Sequence, residues 1–418
     1  MNQIYKVFLL IGLLICFSCS KSEDVPEEKI DNRTILVYLA AENSLQSFAL
    51  DDYEEMLVGM ESVSDDNNLL VYVDVRTTRD GTKALPRLYR ISRNPESGKI
   101  EESLVYEYPV QDDSSVKVER MTDVFQRAFK AYPAQSYGLV LWSHGDGWLP
   151  TKSALRSFGQ DGGNYGPNMD IPELEKAVSI GTTMLGNASK FDFIYFDACF
   201  MQGIEVAYQF KNYTDHIIAC PMETPGPGSP YDLVLAPLFE KGKADVLGMA
   251  QKYYDTYASI YDLEANGGNS YWTYGVAISV VETSGLDYLA EVSRSLYQNH
   301  KNELMSLQED DLSAVQKFDN GRTYSGSYKH AYYDFGDMVK QVVSKEEYAK
   351  WQDALNQAVP YKATTPTCYS VYLGFGGGNV PIIAFSGLSA YFPYQNNEDY
   401  VSWNKFYYSL AWGRYLAN

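Results

Sequence analysis

Histidine and cysteine are scarce in this chain, four and five among 418 residues. No His-x-x-x-His pair occurs, and no Cys-x-x-Cys pair lies beyond Cys16 and Cys19, so the spacings that hold zinc are missing. No metal site and no cofactor is expected. Basic residues are also few: 34 Lys and Arg face 54 Asp and Glu, for a net charge of −20. That balance excludes nucleic acid as a partner, because binding phosphates needs a basic face. The glycine-rich stretch GFGGGNVP at 374–381 lacks a following Lys-Ser/Thr and is not a phosphate loop. The apolar run at 7–17 covers eleven residues, too short for a mature membrane-spanning helix. Bulk disorder is excluded too, since 45% of the residues are hydrophobic.

What that short run does fit is a leader. Lys6 precedes it, and it ends in Cys16-Phe17-Ser18-Cys19, which resembles a bacterial lipobox with Cys19 as the lipidated residue. A plain secretory signal is the competing reading. Residues 1–18 then form a lipoprotein signal peptide and 19–31 an acidic tether. The expected location is the cell envelope, lipid-anchored at Cys19, at the outer membrane or cell surface. Beyond the leader only Cys199, Cys220 and Cys368 remain. In an oxidising setting three thiols cannot all pair, so at least one stays free and calls for a reason.

Buried strands are expected at 34–39, 69–75, 138–142, 191–196 and 216–219, with helices between them near 42–60, 117–131, 171–186 and 202–211. A hairpin is expected at 85–110, turning at NPESGK. Continuous apolar strands alternating with helices predict an α/β fold, a mostly parallel sheet with helices on both faces. Residues 32–240 form this core. Residues 241–418 are helix-rich, with helices at 243–260, 284–299 and 345–358, and add late strands at 273–281 and 387–392.

In parallel sheets, working groups gather at the carboxyl ends of strands. His144 follows one strand in GLVLWSHGDGW, and Cys199 follows the next in FDFIYFDACFMQG. A cysteine alone at such a place is more often small core filling, and a histidine alone is more often just hydrogen-bonded. Together, each beside Ala or Gly, they suit a nucleophile and its base. Cys199 is expected to open the following helix, where the positive end of the macrodipole favours thiolate. The N–H groups of Gly145 and Cys199 are candidates for an oxyanion hole. Asp197, just before Cys199, has a plainer alternative as a helix cap.

The segments Ser143-His144-Gly145-Asp146-Gly147-Trp148 and Asp197-Ala198-Cys199-Phe200-Met201 resemble the two catalytic motifs of the clostripain family of cysteine peptidases, which share the caspase-like fold. The resemblance runs from about residue 33 to 415. It implies Cys199 as nucleophile, His144 as general acid and base, Gly145 at the oxyanion hole, and Asp197 in an S1 pocket that favours Arg or Lys. The chain departs from the family at Pro227, where a second S1 acid is expected; Glu223 and Asp232 are candidates to replace it. Self-processing between the two motifs is also implied, with Lys152 and Arg156 as candidate cut sites. The expectation is therefore a monomeric, lipid-anchored cysteine endopeptidase acting on proteins or peptides. The alternative is a catalytically inactive surface lipoprotein that binds proteins or glycans.

Overall fold

A computed structural model describes residues 30–109, 114–150, 157–162, 166–264, 273–319, 322–324, 327–370, 378–395 and 398–417. Its centre is a nine-stranded sheet. The strands of the first part are β1 (Asp31–Ala40), β2 (Asn67–Asp74), β3 (Arg87–Arg93), β4 (Ile100–Glu107), β5 (Ala134–Trp142), β6 (Phe191–Asp197) and β7 (Thr214–Ala219). β8 (Ala277–Glu282) and the short strand Tyr361–Thr364 come from the second. In space the order runs from Tyr361–Thr364 through β8, β7, β6, β5, β1, β2 and β3 to β4. The five strands from β7 to β2 are parallel. At each end two antiparallel strands extend them, β8 with Tyr361–Thr364 on one side and the β3–β4 hairpin on the other.

Side-chain alternation explains why the central strands read as unbroken apolar runs. Ile35, Val37 and Leu39 of β1 pack on one face of the sheet, with Met56 of α1 (Gln46–Gly59), Leu235 of α5 (Tyr231–Leu238) and Met249 of α6 (Val246–Ser259). Leu36, Tyr38 and Ala40 pack on the other, with Phe125 of α2 (Val118–Phe125), Leu174 of α3 (Ile171–Thr182), Ile204 of α4 (Ile204–Phe210) and Leu289 of α7 (Leu286–Asn299). A strand covered on both faces has no polar side to show. The expected α/β architecture is thus observed, with helices on both faces.

Two local expectations differ. The late strand at 387–392 shrinks to Ser389–Ala390, which pairs with Tyr333–Asp334 outside the main sheet. Helix α5 had no counterpart in the sequence reading; it is short and carries Pro237 inside it. Among the described residues, no helix is long and apolar enough to cross a membrane.

Candidate active site

β5 and β6 lie side by side with Trp142 opposite Asp197. His144 and Cys199 each come two residues further on, so the parallel register delivers both to the same edge of the sheet. They line one pocket of about 270 Å³ together with Ser44, Leu45, Phe48, Trp142, Asp197, Glu223 and Thr224.

His144 is held from several sides. Its Nε2 lies 2.9 Å from the Ser44 hydroxyl, and its carbonyl accepts the Gly159 N–H at 2.8 Å. The Ser143 hydroxyl donates to the Ala40 carbonyl at 2.6 Å, anchoring the turn to β1. Gly145 pairs with Phe158 through bonds made by its neighbours: Gly159 donates to His144, and Asp146 donates to Ser157. Its own N–H is therefore not used in that pairing. Gly145 also sits against the cysteine backbone. A Cβ there would stand 2.6 Å from the Cys199 oxygen and 3.0 Å from its nitrogen, so only glycine fits.

Cys199 is partly exposed to the pocket, whereas Cys220 and Cys368 are buried. Its sulfur accepts the Thr224 N–H at 3.3 Å. Burial first, then the Glu223 carboxylate, pushes the thiol up to about 12; the Thr224 bond acts against them. This overturns the expectation of a thiolate made by a helix terminus. Helix α4 begins only at Ile204, and the dipole effect fades within the first turn. Phe200 breaks the helical path. Its φ of +62° is left-handed, its N–H bonds the Met222 carbonyl at 2.8 Å, and its ring stacks on Tyr332 at 4.9 Å. Gln202 then donates from its backbone to Cys220 and from its side chain to Ser279, pinning this segment across the ends of β7 and β8.

Asp197 does not cap a helix either. Its Oδ2 accepts the Ser229 N–H and the Tyr231 hydroxyl, both at 3.0 Å, while its Oδ1 is buried without a hydrogen-bond partner. Burial raises it to about 6. Beside it lies a carboxylate the sequence reading missed. Asp52 of α1, 1% exposed, accepts the Trp142 indole N–H at 2.7 Å. A Cβ on Gly228 would lie 3.0 Å from Asp52 Oδ2 and 3.2 Å from Asp197 Oδ2, so that glycine, at φ +66°, covers both. Asp52 is held well above the ordinary carboxylate range by burial and then by Asp197.

Of the proposed replacements for the second acid, Glu223 is buried and lines the pocket. Asp232 is exposed on the first turn of α5 and is not among the pocket residues. Pro227 is flanked by Gly226 and Gly228, which line the pocket. Cys19, Lys152 and Arg156 lie outside the described residues. His216, His300 and His330 are engaged elsewhere, with the Asp192 carbonyl, with Glu303 and Glu347, and with Asp319.

The chain is similar to several known proteins. A secreted C11 cysteine protease from Bacteroides thetaiotaomicron, solved with an irreversible peptide inhibitor, is 36% identical with a TM-score of 0.77, covering 92% of this chain and 98% of its own. An inactive zymogen C11 protease from Parabacteroides distasonis is 33% identical with a TM-score of 0.75, covering 93% and 98%. Clostripain of Hathewaya histolytica is 29% identical over 243 residues, 51% of this chain but only 43% of clostripain's length. A model of the clostripain family matches residues 37–417, and the chain belongs to that family.

Proposed function

We propose that this chain is a cysteine endopeptidase in which Cys199 attacks the scissile carbonyl and His144 moves the protons. The observation that carries this reading is that both side chains line one pocket while the Gly145 backbone abuts that of Cys199. With burial raising the thiol to about 12, thiolate forms by proton transfer to the imidazole, as an ion pair. The sulfur adds to the carbonyl carbon, and the oxyanion is met by the N–H groups of Gly145 and Cys199. The imidazolium then protonates the leaving amine, giving an acyl-enzyme. Water attacks the thioester as His144 takes its proton, and collapse releases the carboxylic product and restores the thiol. Ser44 holds the imidazole in place through this cycle.

Asp197 forms the floor of the S1 pocket and favours Lys or Arg at P1, in keeping with its buried, unpartnered Oδ1. Substrates are proteins or peptides; the Bacteroides relative, held by an irreversible peptide inhibitor, supports that class. The Parabacteroides relative's zymogen form supports activation by cleavage, here at Lys152 or Arg156. N-terminal sequencing of the purified chain tests those sites. The protein acts as a monomer, and its leader supports an anchor at Cys19; Cys19→Ala is expected to leave the membrane fraction, and retained lipid labelling refutes the anchor.

The decisive experiment is a peptide-library cleavage profile combined with a thiol-directed activity probe. Labelling of wild type, none of Cys199→Ala, and cleavage after Lys or Arg are expected. Equal behaviour of wild type and Cys199→Ala overturns the peptidase reading and leaves an inactive binding lipoprotein.

A further inference from the structure

Asp52 and Asp197 bring two carboxyls together behind the pocket, one from α1 and one from the end of β6, and both are buried. The Cβ position at Gly228 is 3.0 Å from Asp52 Oδ2 and 3.2 Å from Asp197 Oδ2, so those oxygens stand no more than about 6.2 Å apart, where like charges oppose each other's ionisation. Gly228 lines the pocket and has no side chain to fill the space between them. Donors are divided unequally. The Ser229 N–H and the Tyr231 hydroxyl reach Asp197, and the Trp142 indole N–H reaches Asp52. The other titratable groups facing Asp52 are Asp51 and Glu55 of its own helix and the hydroxyls of Tyr195, Tyr231 and Tyr257 from β6, α5 and α6. Asp51 is paired with exposed Arg79, and Glu55 accepts the Tyr231 N–H. None of these facing groups brings a positive charge to Asp52. Asp197 therefore carries the charge and Asp52 the proton: burial and then Asp197 hold Asp52 well above the ordinary carboxylate range, while Asp197 ionises at about 6.

We infer that Asp52 is a positioning residue for P1 selection, the holder of a proton that leaves when a guanidinium or ammonium settles against Asp197. This rests on the reading of Asp197 as the floor of S1. Without a ligand the pair carries one negative charge, because a second would be buried with no counter-charge. A cation at Asp197 lies close to Asp52 as well and favours its carboxylate. The Asp52 O–H bond then breaks, the proton passes to water, and two carboxylates face the incoming charge. The Trp142 N–H, already directed at Asp52 Oδ2, is in place to stabilise the new anion.

The consequence is a selectivity with two pH-dependent parts. Asp197 Oδ1, buried without a hydrogen-bond partner, is the oxygen left for the cation, and its share of the selectivity sets in as pH rises through about 6. The share of Asp52 goes on growing above that, since binding coupled to proton release is favoured as protons become scarce. A neutral P1 side chain offers no charge in exchange, so Asp52 keeps its proton and neither part appears.

Calorimetric titration of the Cys199→Ala chain tests this, with a peptide amide ending in Arg and the same peptide ending in uncharged citrulline. Two buffers of different ionisation enthalpy count the protons released at pH 8, where Asp197 is already ionised. More than about half a proton per Arg peptide bound is expected, and none with citrulline. Adding Asp52→Asn, which keeps an oxygen for the Trp142 indole, is expected to abolish the release. It should also weaken the Arg peptide about tenfold at pH 8, the low end of what an opposite charge does to a carboxyl at this range, with little loss at pH 5.5. A merely structural role would weaken both peptides alike at both pH values. Release or Arg affinity left unchanged by Asp52→Asn overturns the inference and leaves the Asp197 reading standing. So does an absence of release from the chain that keeps Asp52, whatever the variant does. Equal affinity of that chain for the two peptides removes Asp197 from S1, and the role of Asp52 with it.

Discussion

Replacing Gly145 by alanine tests the contact on which the proposed oxyanion hole rests. The added Cβ would stand 2.6 Å from the Cys199 oxygen, 2.9 Å from the Ala198 Cβ and 3.0 Å from the Cys199 nitrogen. Two of these are backbone atoms and cannot swing aside. Reaching an ordinary 3.4 Å contact with the oxygen needs about 0.8 Å of separation between the two loops. Gly145 is not among the residues with positive φ, so the substitution adds bulk without backbone strain. A shift of that size removes one N–H donor from the transition state, worth about 3 kcal/mol, or roughly a hundredfold in kcat. Overpacking adds an independent loss of stability of about 1–3 kcal/mol. Steady-state hydrolysis of a fluorogenic peptide with Arg at P1, together with thermal unfolding, separates the two effects. A folded Gly145→Ala enzyme whose kcat stays within about threefold of wild type, well under 1 kcal/mol, would refute the role given to this backbone.

Other outcomes follow from the same geometry. Ser44→Ala removes a hydrogen bond worth about 1 kcal/mol and is expected to lower kcat about fivefold with KM little changed; an unchanged kcat would make Ser44 a bystander. Asp197→Asn should cut kcat/KM for Lys or Arg at P1 by about ten- to a hundredfold relative to neutral residues, the loss of a charged hydrogen bond. In wild type the same preference should fall as pH drops through about 6, where Asp197 takes up a proton, and flat selectivity from pH 8 to 5 would contradict it. Glu205 offers a stability test, because burial raises it to about 7 and its Oε2 has no partner while Oε1 accepts the Tyr391 N–H. The native state holds that proton more tightly than the unfolded chain, so its contribution is full at low pH and lost as pH rises through about 7. Glu205→Gln should therefore raise the Tm at pH 8 and leave it nearly unchanged at pH 4, measured by calorimetry; a lower Tm at pH 8 contradicts the burial argument.

The parallel core was legible because its strands are buried on both faces, so β1, β2, β5 and β6 announce themselves as apolar runs. His144 and Cys199 were legible from their place just after such runs. The start of α4 was not. Nothing in Ala198-Cys199-Phe200-Met201 marks a left-handed residue, and Phe200 is placed there by Met222 and Tyr332, which come from distant segments. Asp52 was hidden differently. It sits in Asp51-Asp52-Tyr53-Glu54-Glu55, which reads as a solvated helix face, and only the fold turns it inward to Trp142, 90 residues away. Ser44 was closer to reach, since it lies in the loop that follows a buried strand, and binding and catalytic residues gather on such loops.

The two ends of the central sheet bear on how copies of this chain meet. A sheet rim with free N–H and C=O groups invites a neighbour's strand to zip onto it. Here the outermost hairpin strand, β4, carries Glu101, Glu102 and Glu107 on a mostly exposed stretch, and the opposite border is only four residues long, Tyr361–Thr364. Like charges repel a second β4, and four residues offer too few rungs to hold one at the other end. The architecture therefore guards both borders against cross-chain zippering, and a concentrated stock should stay clear where a flat, uncharged rim would seed fibres.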